Sequence, residues 1–450
     1  MDEISESIES RLSPGLKGQL FVPGDKSISH RALILGSLTI GETIVKGLLE
    51  SEDVLNTARA LNALGAQVVK TKPGNWSIKG VGVGGFKEPD DVIDCGNSGT
   101  SVRLLMGAVS TCPIKVTFTG DDSLRNRPMD RVVIPLTEFG ATFSSNFGHK
   151  LPINVVGSNE SIPIRYELPI PSAQVKSAIL LAGLNVRGRT TVVEREASRD
   201  HTEKMLKSFG AEVIIENKGQ FSEISVDGFP RLRSVEINVP GDISSASFLI
   251  AAACMVPGSE ILIREVGINP LRNGFLDTLT EMGANLEIRN EHLNAGEPVA
   301  DIHVVYSSNL KGLEVPEHRS ASMIDEYPIL SMVAATASGP TVMKGVRELR
   351  YKESDRIEAV AKGLIDSGVD VKDTEDMFVV NGNGQGSIQG GSEINAANDH
   401  RIAMSFACLG LISKKSIKVT GAASIHTSFP NFVEMMSSIG ADLAVPQKTI

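Results

Sequence analysis

Six times along this chain a helix-like pattern runs into Gly-Ala or Gly-Val and passes at once into a strand-like one. The copies are LNALGAQVV from residue 61, LTEFGATF from 136, LKSFGAEVII from 206, LTEMGANLEI from 279, LIDSGVDV from 364 and MSSIGADLAV from 436. Their glycines, Gly65, Gly140, Gly210, Gly283, Gly368 and Gly440, stand 75, 70, 73, 85 and 72 residues apart. A glycine just past a helix C-terminus takes the left-handed backbone that lets a strand follow immediately. The chain is therefore expected to be built from six copies of one α/β unit.

A second helix set interleaves with the first, beginning near Lys26, Asn97, Ser172, Asp242, Asp325 and Asp399. Ser, Asn or Asp at each start can satisfy free N–H groups of a first helical turn. Each of these helices leads through a turn to a β-rich segment, such as ETIVKGL, IKVTFTG or EILIREV. The unit reads strand, helix, strand, helix, then strands. Because the second set is rich in Ala, Ser, Gly and Leu and nearly apolar all round, burial of three such helices in each of two domains is expected. Copies one to three fall in residues 23–240 and copies four to six in 241–450. The leading segment LSPGLKGQLFV is expected to join the second domain, making it 1–22 plus 241–450, with a double crossing near Pro23 and Pro240-Gly241.

Length agrees with two domains, since 450 residues exceed what one core usually organises. Aromatic residues are only 4% with a single Trp76, so Val, Ile, Leu, Met and Ala must fill the core. The formal net charge of −10 opposes non-specific attraction to nucleic acid or anionic lipid, so any anion site must concentrate positive charge locally. Cys95, Cys112, Cys254 and Cys408 are far apart and suggest neither a metal site nor a disulfide framework. The acidic start MDEISESIES lacks the apolar core of a secretory leader, and the apolar runs at 246–256 and 402–412 are too short to cross a membrane. A cytoplasmic chain without membrane or nucleic-acid partners is the expectation.

Candidate chemistry clusters at the polar ends of the second helix set, where backbone N–H groups already favour anions. Lys26, Ser27 and Arg31 follow a Pro-Gly turn, with Ser27 and Arg31 four apart on one helix face, the pattern of a phosphate clamp. GNSGTSVR sets Asn97, Thr100 and Arg103 beside Gly99, and LRNRPMDR adds Arg125, Arg127 and Arg131. Ser172, Ala173 and Gln174 stand at a third helix mouth, and Arg199, Asp200 and His201 open the next helix, with His201 expected as a structural hydrogen-bonder. In the second half, Asp325 and Glu326 lie at a helix start, where one of them could be a simple cap. ELRYKESDR groups Arg350, Lys352, Glu353, Asp355 and Arg356, read as a helix with Lys352 and Arg356 on one face, and NDHR brings Asp399, His400 and Arg401 to the last buried helix. GVGVGG at 80–85 is a glycine-rich turn, because FKEPDD cannot open a helix, and NGNGQGS at 381 reads as a hairpin loop.

Taken together these segments resemble the 5-enolpyruvylshikimate-3-phosphate synthases. PGDKSISHR at 23, GNSGTSVR at 96, RPMDR at 127, PSAQVKSA at 171, SRDHTEKM at 198, PGDISSA at 240, IDEYPIL at 324, ELRYKESDR at 348 and NDHRIAM at 398 occur in the family's order across essentially the whole chain. The DKS, SAQVK and RDHTE segments look like those of the glyphosate-tolerant subclass, but Gly99 is retained where those members carry alanine. The resemblance implies an α/β, two-domain enolpyruvyl transferase fold of six βαβαββ repeats, three per domain, with the active site in the interdomain cleft. It implies transfer of the enolpyruvyl group of phosphoenolpyruvate to the 5-hydroxyl of shikimate 3-phosphate with release of phosphate, on the route to chorismate and aromatic amino acids. Neither metal nor organic cofactor is implied, and a monomer is expected.

Carried over by position, the resemblance assigns Lys26, Ser27, Arg31, Ser172, Ala173, Gln174, Arg199, Asp325 and Lys352 to shikimate 3-phosphate. It assigns Lys26, Gly99, Arg127, Gln174, Arg356 and Arg401 to phosphoenolpyruvate. Asp325 is the expected acceptor of the hydroxyl proton, and Glu353 with Lys26 would handle protons at the methylene carbon. Where many members carry a lysine before the last Phe-Pro, this chain has His426 and Thr427. Two alternatives share the fold: an enolpyruvyl transferase acting on UDP-N-acetylglucosamine, and a non-catalytic anion-binding relative. The first relies on a cysteine in a mobile loop, a role that Cys112 at the end of an apolar helix does not suit.

Overall fold

The computed structural model describes residues 7–146 and 148–445, so the first six residues of the acidic start lie outside it. Among the described residues there are six four-stranded sheets built to one plan. In one of them the order is Ile93–Asp94, Lys115–Thr119, Ile153–Val156, Thr142–Ser144. The first two strands are parallel and the other pairings antiparallel. Each of the other five sheets also contains one parallel pair.

Chain contacts divide the molecule into two units. One comprises Gly24–Val239 with Leu293–Glu297; the other takes Pro240–His292, the chain from Pro298 onward and the segment before Gly24. Each unit has three of the sheets and its own apolar core. Two sheets of the second unit draw on the chain's beginning. Lys17–Phe21 pairs in parallel with Glu260–Gly267, and Ser7–Arg11 lies between Ile417–Thr420 and Asp442–Ala444, antiparallel to both. In the first unit, Glu42–Lys46 finds its parallel neighbour in Glu236–Asn238, far along the chain.

All six recurrent glycines have positive φ, from 88° at Gly368 to 105° at Gly440, and each follows a helix directly. The second helix set is Lys26–Ser37, Gly99–Val109, Ala173–Gly183, Ile243–Met255, Tyr327–Thr336 and His400–Gly410. Small residues let these helices approach closely. A Cβ on Gly107 would sit 2.4 Å from the Ala178 carbonyl oxygen, so the helix Gly99–Val109 can meet Ala173–Gly183 backbone to backbone only with glycine there. Ile243–Met255 and Tyr327–Thr336 are buried at every position. In the other four helices the positions that escape full burial are Lys26 and Ser27, Thr100 and Arg103, Ala173 and Gln174, and Arg401. Burial thus singles out the polar ends on which the sequence placed its chemistry.

Two sequence expectations need correction. The segment 381–387 is not a hairpin loop: Asn381–Asn383 end the strand Met377–Asn383, and the chain then leaves for a different sheet, where Glu393–Asn395 pairs with Ile417–Thr420. Nor do Lys352 and Arg356 share a helix face. Asp355 caps a helix that starts only at Arg356, its carboxylate accepting from the Glu358 N–H at 3.0 Å, and Lys352 precedes it in a turn.

Candidate active site

The first unit gathers its cations at three helix starts. Asp25 caps Lys26–Ser37 by accepting from the Ile28 N–H at 2.8 Å, and Lys26 projects from this turn into an ion pair with Asp53. Arg31 is not the solvated arginine that a charged first turn would suggest, for it is only 4% exposed. Its Nε donates to Thr202 Oγ1 at 2.7 Å, Nη2 to Ser177 Oγ at 2.8 Å and Nη1 to the Ser27 carbonyl at 2.9 Å. A guanidinium has five N–H donors, so these contacts fix the group and leave two for an anion. Burial pushes the Arg31 pKa down to about 10, opposed chiefly by the Glu203 carboxylate. It stays a cation at neutral pH.

A second cluster centres on Gly99. Ser98 caps that helix through the Ser101 N–H at 3.1 Å. Gln174 bridges to it, accepting from Arg103 Nη1 at 2.8 Å and donating to Thr100 Oγ1 at 3.0 Å. Arg127 Nη2 donates to Asn97 Oδ1 at 2.9 Å. A Cβ at Gly99 would lie 2.8 Å from Arg103 Nη1 and 3.3 Å from Arg127 Nη1, so the glycine keeps open the space before two guanidinium groups. Gly99, Thr100, Arg103, Arg127 and Gln174 are therefore neighbours. Ser172 caps its own helix through the Val175 N–H at 3.4 Å, and Ala173 gives its carbonyl to Ser177 Oγ at 2.6 Å. Arg199 lies close enough to Arg31 to repel its charge. His201 is buried with Nδ1 2.7 Å from Glu297 Oε1, the structural role expected. Arg125 instead faces Asp122 at 3.7 Å on the exposed surface.

In the second unit Arg356 is the hub. Its side chain is 1% exposed and serves three carboxylates. Nε meets Asp399 Oδ2 at 2.8 Å, Nη2 meets Glu353 Oε2 at 2.5 Å, and Nη1 meets Asp325 Oδ1 at 3.3 Å. Burial would lower the Arg356 pKa, but Asp399, Glu353 and Asp325 outweigh it and hold it above the usual range. Asp325 Oδ1 also lies 3.8 Å from Lys352 Nζ and 4.0 Å from Arg401 Nε, and Arg401 Nη1 donates to the Asp325 carbonyl at 3.1 Å. Asp325 is thus no simple cap. Glu326 occupies the cap position yet makes no capping bond, because its carboxylate accepts from Ser244 Oγ and lies 3.9 Å from Arg272. Asp399 caps its helix through the Arg401 N–H at 2.9 Å while pairing with Arg356.

Sequence reading overlooked Arg272, which is 3% exposed and donates to Ser244 Oγ at 2.7 Å, because INPLRNG carries no pattern of its own. Lys176, Glu194 and Glu203 were also missed, and only their burial betrays them. At the position of the absent lysine, Thr427 Oγ1 lies 3.3 Å from His400 Nδ1. Cys112 is buried, and burial pushes its thiol up to about 11. No helix among the described residues is long and apolar enough to cross a membrane.

The arrangement can hold polyanions through guanidinium and ammonium groups kept ready by buried partners, and it offers carboxylates beside them. A profile of the family described as EPSP synthase (3-phosphoshikimate 1-carboxyvinyltransferase) matches residues 12–436. The protein named 3-phosphoshikimate 1-carboxyvinyltransferase from Roseobacter denitrificans is 55% identical over 426 residues, covering 95% of each chain. Its namesake from Dinoroseobacter shibae is 54% identical over 428 residues, again 95% of each. The EPSP synthase structure from Acinetobacter baumannii superposes with a TM-score of 0.87 at 42% identity, over 98% of this chain and 100% of that one. The enolpyruvyl transferase NikO from Streptomyces tendae shares the fold, with a TM-score of 0.75 at 16% identity over 98% and 99% of the two chains. Matched along nearly its whole length, this two-domain chain belongs to the EPSP synthase (3-phosphoshikimate 1-carboxyvinyltransferase) family.

Proposed function

We propose that this enzyme transfers the enolpyruvyl group of phosphoenolpyruvate to the 5-hydroxyl of shikimate 3-phosphate and releases inorganic phosphate. The observation that supports this most directly is Asp325, a carboxylate within 4.0 Å of Lys352, Arg356 and Arg401. Two substrates that each carry several negative charges repel one another, and clustered cations held in place beforehand offset that repulsion. Guanidinium groups do so with bidentate geometry and without losing charge. The residues assigned to the reaction are divided between the two units.

In this reading Lys26, Ser27, Arg31, Ser172, Ala173, Gln174, Arg199, Asp325 and Lys352 hold shikimate 3-phosphate. Phosphoenolpyruvate is held by Lys26, Gly99, Arg127, Gln174, Arg356 and Arg401. The 5-hydroxyl oxygen attacks C2 of phosphoenolpyruvate while C3 gains a proton, giving a tetrahedral intermediate. Loss of a proton from C3 then expels phosphate and restores the double bond. Asp325 takes the hydroxyl proton, and Glu353 with Lys26 delivers and removes the proton at C3. Retention of Gly99 supports at least partial sensitivity to glyphosate at the phosphoenolpyruvate position. The enzyme acts as a cytoplasmic monomer in this proposal.

Phosphate release measured with both substrates tests the assignment. Release that requires shikimate 3-phosphate supports it. Release that instead requires UDP-N-acetylglucosamine, or no release with either acceptor, rejects it.

A further inference from the structure

Behind the helix start that carries Ser172 and Gln174 lies a cation with no part in the mechanism above. Lys176 is 0% exposed, in the second turn of Ala173–Gly183. Its Nζ stands 2.7 Å from Glu203 Oε1 and 3.1 Å from Glu194 Oε2, and it donates to the Ser198 carbonyl at 3.2 Å. Both carboxylates are buried too, Glu194 at 6% and Glu203 at 2% exposure. Burial alone would lower the Lys176 pKa, but Glu203 and Glu194 outweigh it and hold the ammonium above its ordinary value.

Each carboxylate leads to a different part of the candidate site. Glu194 Oε2 accepts from Ser198 Oγ at 2.8 Å and from the Ser198 N–H at 3.3 Å, gripping the residue before Arg199. Glu203 is the foremost charge favouring the Arg31 cation. Its chain neighbour Thr202 and Lys176's neighbour Ser177 bond each other at 2.7 Å, and both accept from Arg31. Lys176 is in direct ion-pair contact with both Glu194 and Glu203, and Glu203 is also one of the carboxylates, with Asp25 and Glu297, that favour the Arg31 cation. Removing Lys176 takes that partner from two buried carboxylates, and the strain falls on the groups that share the network.

We infer that Lys176 is a positioning residue for shikimate 3-phosphate, fixing the segment of Arg199 through Glu194 and the guanidinium of Arg31 through Glu203. The inference rests on the proposed assignment of Arg31 and Arg199 to that substrate. A network that merely fills the core would affect stability and leave the two substrates' constants alike.

The test uses the full chain with Lys176→Met, Glu203→Gln and the double variant. Steady-state kinetics are measured with each substrate varied, alongside calorimetric titration with shikimate 3-phosphate and thermal unfolding. Lys176→Met should raise KM and Kd for shikimate 3-phosphate by roughly ten- to hundredfold, while KM for phosphoenolpyruvate moves less than about threefold. Glu203→Gln keeps the volume and a hydrogen-bonding oxygen, and a rise of roughly three- to tenfold is expected. The double variant, having lost one charge of each sign, should bind shikimate 3-phosphate more tightly than Lys176→Met alone. Lowered stability with unchanged shikimate 3-phosphate constants overturns the inference, as does an equal rise for both substrates. If Lys176→Met does not fold, Glu203→Gln decides on the same split. A native chain that fails to bind shikimate 3-phosphate rejects the functional reading itself, before any variant is considered.

Discussion

The guanidinium of Arg356 grips the carboxylate of Asp399 through two contacts, at 2.8 and 3.3 Å, with both side chains closed to solvent. Asp399 lies 43 residues away and simultaneously caps the helix that carries Arg401. The pair therefore couples the placement of two cations assigned to phosphoenolpyruvate. Arg356→Lys retains the charge but loses the planar fork that serves three carboxylates. Turnover should fall by roughly two to three powers of ten, and denaturant titration should show a loss of about 2 to 4 kcal/mol. A near-normal KM for phosphoenolpyruvate in this variant would remove Arg356 from that substrate's contacts.

Asp325→Asn separates chemistry from binding. The amide keeps the shape beside Lys352, Arg356 and Arg401 but cannot accept the hydroxyl proton. Turnover should drop by roughly two to four powers of ten while calorimetry shows shikimate 3-phosphate binding largely intact. Normal turnover would leave Asp325 only an electrostatic partner.

Gly99→Ala should weaken glyphosate more than phosphoenolpyruvate. Gly99 does not have a positive φ, so alanine brings no backbone strain. Its methyl would meet the far ends of Arg103, at 2.8 Å, and Arg127, at 3.3 Å, so these guanidinium groups must shift to admit it. The cost to a ligand filling that space is about 1 to 3 kcal/mol. Parallel inhibition and Michaelis measurements on both proteins check it, and equal weakening of inhibitor and substrate contradicts it.

His30 supplies a pH-dependent contribution to stability. Burial, aided by Lys26 and Arg31, holds its pKa well below 6.5, so the folded protein keeps the ring neutral. The unfolded chain takes up a proton near pH 6.5, whereas the folded one does so only at markedly lower pH. Below pH 6.5 the unfolded state thus binds more protons, and stability falls as pH falls, by up to about 1.4 kcal/mol per unit from this group. His30→Asn, which can keep the contact to Thr57 Oγ1, should flatten that part of the profile. Identical slopes for both proteins between pH 6.5 and 5 would exclude His30 as the source.

Cys112→Ala should leave turnover within about twofold, because a buried thiol pushed up to about 11 has almost no thiolate at neutral pH. Loss of activity would favour chemistry that depends on this cysteine.

The sequence made the repeated unit visible because its marker is local: a glycine needs positive φ wherever a strand must follow a helix at once, and all six have it. The polar ends of the buried helices were equally legible, since Lys26, Gln174 and Arg401 interrupt otherwise apolar stretches. What escaped was everything that depends on distant partners. Arg356 looked like part of a charged surface helix, and only its contacts with Asp325, 31 residues away, and Asp399, 43 away, explain why it is buried. Glu326 resembled a cap until Ser244 and Arg272 took its carboxylate. Glu236–Asn238 could not be placed beside Glu42–Lys46 from sequence, because a three-residue edge strand carries too little pattern to name its neighbour.

The interleaving of Ser7–Arg11 between Ile417–Thr420 and Asp442–Ala444 has a consequence for the order of assembly on the ribosome. Ser7–Arg11 waits, its edges unpaired, until Ile417–Thr420 and Asp442–Ala444 have emerged. By then Gly24–Val239 has long been available to collapse around its own core. The earlier unit can therefore mature during translation, while the other is completed only once Asp442–Ala444 has been made. Truncation at residue 440 would remove Asp442–Ala444 and uncover one edge of Ser7–Arg11.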